Sequence, residues 1–535
     1  MEVFEIVIAL LLGGAGLAAL ARRMTMPYPA LVAVAGAALA LIPRVPTLVL
    51  DPELALALFV APVLLDAAFD SSPRDLRANW RAVTSLALGA VALTIVLVAL
   101  AAHALVPGMP WAAAIALGAI VAPPDAAAAT TVLKQLRPPH RLLVILEGES
   151  LFNDASALLV YRLAVGAALT GFLAGWRVLP MLLVVTLGSV ALALALAWLM
   201  MKVTGAISDV ATAVIVQFCG TFAVWILAER LGLSGILTMV VFAMVAARTS
   251  ATIIPARIRI PSYAVWEVAV FVLNVLAFIL VGFQLRLIVT HLDRSLWAEY
   301  AWVAGAVLAV TILARIAWVS GAAAFSRWRC RPRDGKPGPK DAVALSRRGA
   351  AVVGWCGMRG TVTLAAALAL PTGHDGSAAF PYRDLILVTA FAVVLGTLVV
   401  QGMTLRPLMK KLQLEDDGEV EREVRLARVE TLQAALVAAQ ECPGAEMAAL
   451  VRHRYELLLR RAQAERSAAA GTDEDESGHW RPVSEDAEVV RAATAAERQR
   501  LTALRADGTI GDAAFQLVEQ ELDWEELDLQ QVVRT

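Results

Sequence analysis

The chain has 535 residues, 59% apolar and only 17% charged, with a mean hydropathy of +0.68 and a formal net charge of -1. That balance lies outside soluble-domain norms and excludes an ordinary globular enzyme; lipid is the expected solvent for most of the chain. No basic surplus points to nucleic acid, and Cys219, Cys330, Cys356 and Cys442 are too dispersed for a zinc site or a disulfide framework, so they are read as structural thiols.

Apolar windows of about 20 residues, matched to a hydrocarbon layer of ~30 Å, predict an all-α polytopic membrane protein of about 13 transmembrane helices. They fall near 3–21, 28–43, 53–69, 82–105, 111–134, 141–169, 178–200, 209–229, 232–247, 262–285, 298–324, 349–370 and 381–404. The first stretch follows almost no charged region and lacks a small-residue cleavage site, so it is read as a retained helix. Alternate loops carry unequal basic loads. One set holds Arg22 and Arg23, Arg74, Arg77 and Arg81, Lys134, Arg137 and Arg141, Lys202, Arg248, Arg257 and Arg259, and the cluster from Arg327 to Arg348. The positive-inside rule makes this set cytoplasmic, with the N-terminus outside and the tail inside, in a cell (inner) membrane.

In the third span, Asp66 within Ala61-Pro62-Val63-Leu64-Leu65-Asp66-Ala67 is a deep acid, read either as part of an entry funnel or as the partner of an arginine. The fifth span contains Val121-Ala122-Pro123-Pro124-Asp125-Ala126. Two prolines in a helix interior remove two backbone donors and clash with the preceding turn, so the helix must break or kink. Broken backbone at membrane depth is tolerated where it lines a polar cavity, and Asp125 stands where the following half-helix would favour negative charge.

The sixth span holds Leu146-Glu147-Gly148-Glu149-Ser150-Leu151-Phe152-Asn153-Asp154-Ala155-Ser156, three carboxylates within eight residues. Asp154 lies 13 residues beyond Arg141, which at a rise of 1.5 Å is ~20 Å, past the bilayer centre. Ionisable groups at such depth are costly, which makes the segment a functional-site candidate. Ser150 with Asp154, and Glu149 with Asn153, form two pairs four residues apart on adjoining faces. In the twelfth span, Gly354-Trp355-Cys356-Gly357-Met358-Arg359-Gly360-Thr361 sets an arginine among glycines. Glu149 is the partner expected for Arg359, which would hold that carboxylate ionised and leave Asp154 free to titrate. Gln217, Glu229, Asn274 and Arg315 read as helix-helix contacts or interface residues, and Arg162 either as facing an outer funnel or as snorkelling. The broken fifth and glycine-rich twelfth spans, seven apart, suggest inverted repeats with crossed, interrupted helices.

Beyond about residue 411 the sequence turns to charged helical segments, 419–440 and 446–466, then an acidic linker at 471–478 and further helices near 484–505 and 511–527. The expected division is a transmembrane domain over 1–410 and a cytoplasmic helical tail over 411–535, which either regulates transport, supports a dimer or only stabilises the protein.

The run Gly148-Glu149-Ser150-Leu151-Phe152-Asn153-Asp154-Ala155, the Pro124-Asp125-Ala126 break and the Gly357-Met358-Arg359-Gly360 element, in this order, closely resemble Na+/H+ antiporters of the NhaP and NHE type. Ala61 to Ala67, Glu229 with Leu233-Ser234-Gly235-Ile236, and Asn274 with Phe278 and Gly282 extend the resemblance over roughly 1–410. It implies core and dimerisation subdomains, a homodimer, elevator-like movement, and sodium/proton exchange that serves pH regulation. By position, Asp154 and Asp125 would be the carboxylates and Ser150 the hydroxyl that take Na+, Asn153 the amide beside them, and Glu149 and Arg359 a structural ion pair. The Asn-Asp order resembles the electroneutral branch and implies one-for-one exchange. Many relatives have Thr where this chain has Pro124, so a hydroxyl and an amide proton are missing beside Asp125.

The expected function is secondary exchange of Na+, with Li+ and K+ as further candidates, for H+, through competition at Asp154 and without a cofactor or an enzymatic step. A sodium-coupled solute symporter on a related core is the rival; it would need a polar pocket for an organic solute. An intramembrane hydrolase lacks a Ser/His or paired-aspartate pattern, and an ATP-driven pump lacks a GxxxxGK[ST] loop.

Overall fold

The computed structural model describes residues 2–24, 27–40, 54, 56–136, 138–170, 178–291, 294–329, 345–372, 379–414, 416, 418–441, 446–470, 499–501 and 503. Among these residues every regular element is helical, as the hydropathy pattern predicts. The chain divides into two compact units, Met1–Val420 and Glu421–Thr535. The acidic linker and the segment 511–527 lie outside the described residues, as do Cys330 and Cys442 and nearly all of 484–505.

The chain runs through α1 (Glu2–Met24), α2 (Tyr28–Ala40), a π-helical turn at Leu56–Val60 leading into α3 (Ala61–Asp70), the short α4 (Pro73–Ala78) and α5 (Trp80–Leu105). Then come α6 (Trp111–Val121), α7 (Ala126–Leu136), α8 (His140–Thr170), α9 (Val178–Ala206), α10 (Val210–Arg230), α11 (Gly235–Ile253) and α12 (Ala256–His291). The helices α13 (Trp297–Arg329), α14 (Arg347–Trp355), α15 (Thr361–Leu368) and α16 (Arg383–Leu412) complete the membrane-type part, and α17 (Glu419–Glu441) and α18 (Glu446–Ala470) follow.

By length and composition, six helices among the described residues can cross a membrane: α5, α10, α13, α16 and the apolar stretches of α9 and α12. Their outward faces are apolar. On α9, Leu183, Val184, Leu187 and Trp198 are each more than half exposed, as are Trp302, Leu313 and Trp328 on α13. Water would not tolerate so much exposed apolar surface, whereas acyl chains would, and a helix satisfies its own backbone within them. By contrast α16 has 67% of its apolar window buried and stands at the centre of the bundle.

Two sets of helices pack mainly within themselves. In one, α2 lies along α12 and α11 packs on α3, α9 and α10; in the other, α6 packs on α5 and α8, and α13 on α5, α14 and α16. The entry into α8 is tied down at its first residues: His140 Nε2 is 3.2 Å from Asp75 Oδ2, and Arg141 Nε donates to Asn79 Oδ1 at 2.8 Å. These contacts set the depth at which the acidic run of α8 enters the bundle.

The α2–α12 contact depends on glycine, since a Cβ on Gly36 would lie 2.6 Å from the Ile279 carbonyl oxygen, a backbone atom with little freedom to retreat. Replacing Gly36 by Val should therefore force the helices apart at a cost of about 1–3 kcal/mol or more. The expected result is a lower melting temperature in detergent and a smaller monodisperse peak by fluorescence-detected size exclusion.

Candidate functional site

The fifth predicted span is two half-helices. α6 stops at Val121 because Pro123 and Pro124 have no N–H to continue its ladder, and α7 starts at Ala126. The twelfth is divided in the same way, with α14 ending at Trp355 and α15 beginning at Thr361 after five non-helical residues. The two breaks meet. The Asp125 N–H donates to the Met358 carbonyl at 2.7 Å, joining the non-helical link of one broken helix to that of the other. A Cβ on Gly360 would fall 2.7 Å from that of Asp125, so this glycine is what lets the carboxylate sit against the start of α15. Asp125 thus lies between the leading ends of α7 and α15, both of which favour negative charge.

Arg359 lies in the second break and is 1% exposed. Its Nε donates to Val121 O at 2.9 Å, its Nη2 to Ala122 O at 3.1 Å and its Nη1 to Gly357 O. The guanidinium therefore closes the trailing end of α6, where the last carbonyls have no helical partner and the helix dipole is negative. Its backbone N–H is held by Thr397 Oγ1 of α16 at 3.0 Å.

This geometry corrects the expected Glu149–Arg359 pair. Glu149 is bound instead by Arg315 of α13, in a two-pronged contact of 2.5 and 2.8 Å with both side chains 2% exposed. Arg315 also donates from Nε to Val353 O at 3.2 Å. The reason is geometric. Gly357 is wedged between the two guanidinium groups, with its hypothetical Cβ 3.0 Å from Arg315 Nε and 2.9 Å from Arg359 Nη1. Arg359 is committed to backbone carbonyls and Arg315 takes the carboxylate. Treating Arg315 as a helix-helix contact undervalued it; an arginine in the middle of a 33-residue apolar helix carries the same expense as Arg359 and was the available signal.

The other acids of α8 separate by face as the four-residue spacing predicts. Ser150 and Asp154 both line a cavity of about 240 Å3 with Asp125, Pro124, Gly360 and Asp66. Asn153 is fully buried and outside that lining; its Nδ2 donates to Pro124 O at 2.8 Å. The carbonyl of Pro124, a residue of the cavity lining, is thereby held by the amide. Glu147 stands nearer the mouth, 3.5 Å from Lys134 Nζ at the end of α7.

A second chamber of about 750 Å3 shares Tyr28, Asp66, Asp70, Lys134 and Asn274 with the first and extends to Gln217, Arg259 and Glu267. Asp66 thus lines both cavities. On the opposite side of the break the packing is apolar and closed by Leu117, Ile120, Val121, Ala157, Tyr161 and Phe380. Near that end Arg162 of α8 pairs with Glu229 of α10 at 2.9 Å, and Glu229 Oε1 also accepts the Gly235 N–H at 3.1 Å.

Carboxylates on a cavity wall where two interrupted helices meet, within a bundle of long apolar helices, define a multi-pass secondary transporter. A sodium/hydrogen exchanger transmembrane family model matches residues 6–411. An uncharacterized Na+/H+ exchanger of Mycobacterium tuberculosis is 32% identical over 520 residues, covering 95% of this chain and 93% of that protein. A sodium, potassium, lithium and rubidium/H+ antiporter of Bacillus subtilis is 30% identical over 373 residues, covering 66% of this chain and 54% of that protein. The fold is similar to that of the sodium proton antiporter MjNhaP1 from Methanocaldococcus jannaschii, with a TM-score of 0.60 at 16% identity, over 77% of this chain and 99% of that one. The chain belongs to the sodium/hydrogen exchanger family.

The pairing of Glu149 is directly testable. Arg315→Ala strands a buried carboxylate and should cost about 3–5 kcal/mol, read as a fall in melting temperature and in folded yield. A double-mutant cycle on stability should give a larger coupling for Glu149 with Arg315 than for Glu149 with Arg359.

Proposed function

We propose that this protein exchanges Na+, and with it Li+ or K+, for H+ by competition at Asp154. The observation that carries the reading is the shared cavity wall of Asp154, Ser150 and Asp125, which adjoins a second, larger chamber through Asp66, Asp70 and Lys134. Glu149 is already paired, and Arg359 is held by carbonyls, so neither charge is available to neutralise Asp154 by hydrogen bonding. What enters the cavity must do so: a proton, or a partly dehydrated monovalent cation.

Coupling then follows from electrostatics. A bare carboxylate moved through a low-dielectric barrier carries a large desolvation penalty, whereas the protonated or cation-loaded site does not. Only the two loaded forms cross, so each passage one way returns the other ion the opposite way. Asp154, Asp125 and Ser150 supply oxygen ligands of the hard type that alkali cations prefer. Asn153 acts by holding the Pro124 carbonyl and not by reaching the ion itself. One exchangeable charge per cycle gives electroneutral one-for-one exchange.

The working unit we assign is a homodimer in the cell inner membrane, with the N-terminus outside and the charged tail in the cytoplasm. The asymmetric basic loops support that orientation. Lys134 and Arg259, which border the larger chamber, belong to the loops read as cytoplasmic, so the cavity opens inward.

Reconstituted in proteoliposomes with a pH-sensitive dye inside, the protein should dissipate a proton gradient on addition of Na+, and Li+ and K+ added in turn rank the cations. Asp154→Asn should reduce the signal to that of empty vesicles while its size-exclusion profile stays normal; undiminished exchange by this variant would overturn the assignment. For electroneutral exchange, the wild-type rate should not change when a membrane potential is imposed; acceleration by an imposed potential would show net charge movement.

A further inference from the structure

The membrane-type part of the chain has its largest surplus of positive charge where α13 gives way to α14, and the proposed exchange assigns that charge no part. Over 327–348 the sequence holds eight basic residues and two acidic ones, so the segment has little negative charge of its own to offset them. Arg329 at the close of α13 and Arg347 and Arg348 at the start of α14 are exposed and make no hydrogen bond or ion pair among the described residues. Several basic residues in other loops of the same set are occupied: Arg74 by Asp75, Lys134 by Glu147, Arg141 by Asn79 and Arg259 by the Ile254 carbonyl.

One hydrogen bond gathers the three arginines. Arg327 Nη1 donates to the Leu345 carbonyl at 3.1 Å, closing the end of α13 onto the entry to α14, and the two helices pack together. Arg329 lies two residues beyond one partner of that bond and Arg347 two residues beyond the other, so the free guanidinium groups border one patch. Its depth follows from tryptophan. Trp302 and Trp328 of α13, 26 residues apart, are 70% and 67% exposed. At a rise of 1.5 Å that separation is ~39 Å, close to the thickness of a bilayer with its headgroups, where exposed tryptophan settles. Phe325, its ring 5.9 Å from that of Trp328, is exposed about one turn deeper. Arg327 and Arg329 flank Trp328 in the chain, which sets the basic patch at the level of the lipid phosphates.

We infer that Arg329, Arg347 and Arg348 bind the headgroup of an anionic phospholipid whose chains lie against Phe325 and Trp328. Charge and continuity choose this occupant. Phosphate oxygens accept guanidinium N–H groups in pairs, and the exposed apolar face of α13 runs directly into the patch, as a ligand carrying acyl chains requires. A soluble phosphate ester matches the arginines alone, whereas a lipid matches the two rings as well. The acidic run Asp473-Glu474-Asp475-Glu476 of the tail also has the complementary charge, but no apolar residue within 471–478 could meet the rings. The inference rests on the membrane setting and not on exchange at Asp154.

The test titrates the full chain, in a neutral detergent, with dioleoyl phosphatidylglycerol or dioleoyl phosphatidylcholine and reads the melting temperature. Phosphatidylglycerol should raise it and phosphatidylcholine should not. Arg329→Gln, Arg347→Gln and Arg348→Gln combined should raise the half-saturating phosphatidylglycerol concentration about tenfold or more, given the attraction of each arginine for anionic lipid. Arg22→Gln with Arg23→Gln, an exposed pair at the end of α1, is the control and should leave that midpoint near wild type. An equal rise with phosphatidylcholine, an equal rise with glycerol 3-phosphate in place of lipid, an unmoved midpoint in the triple variant, or the same shift in the control would each overturn the proposal. Occupation by the acidic run would appear as no phosphatidylglycerol effect on the wild type and a lower melting temperature of the triple variant in both lipids, which also ends it. If the triple variant fails to give a monodisperse peak, Arg347→Gln with Arg348→Gln replaces it under the same criteria. None of these readouts involves transport, so the proposed exchange stands or falls separately.

Discussion

Everything at the centre of this bundle depends on two helices that stop partway and are joined at their broken links. A severed helix leaves carbonyls at one stub and N–H groups at the other, and in a bilayer no water is present to satisfy them. Here the trailing end of α6 is closed by the Arg359 guanidinium, while the leading ends of α7 and α15 flank the Asp125 carboxylate. The Asp125 N–H to Met358 carbonyl bond stitches the links together. The same bonds that make the breaks tolerable also bring an acid to the wall of a cavity.

Buried charge is sorted into separate units. Glu149 and Arg315 form a neutral pair with both side chains almost wholly inaccessible, and Arg359 is offset by backbone dipoles and not by a carboxylate. This division leaves the cavity wall acidic. Had Arg359 reached into the cavity toward Asp154, the protein would carry its own permanent counter-ion there, and an entering cation would meet a neutral wall. Gly357 is the element that keeps the two guanidinium groups side by side without either displacing the other, because any side chain would occupy the space between them.

The surroundings of the breaks are unequal at their two ends. Toward Lys134 and Arg259 there is a wide chamber lined by Asp66, Asp70 and Glu267, and toward the start of α6 the side chains of Leu117, Ile120 and Phe380 close together. Near the closed end an exposed ion pair, Arg162 with Glu229, bridges one helix set to the other. The wide polar chamber and the apolar packing thus lie on different sides of the breaks.

Local signals in the chain were enough to establish the all-helical, apolar character, the break at Pro123-Pro124, the interruption among the glycines around Arg359, and the facing of Ser150 with Asp154. Each of these is decided within a few residues: proline removes donors, glycine yields, and a four-residue spacing sets a common helical face. The identity of partners was decided only in three dimensions. Glu149 finds Arg315 at a separation of 166 residues, and Asn153 turns to the Pro124 carbonyl. Such outcomes depend on how each helix is rotated and how deep it sits against its neighbours, and those are properties of the packed bundle that no single segment contains.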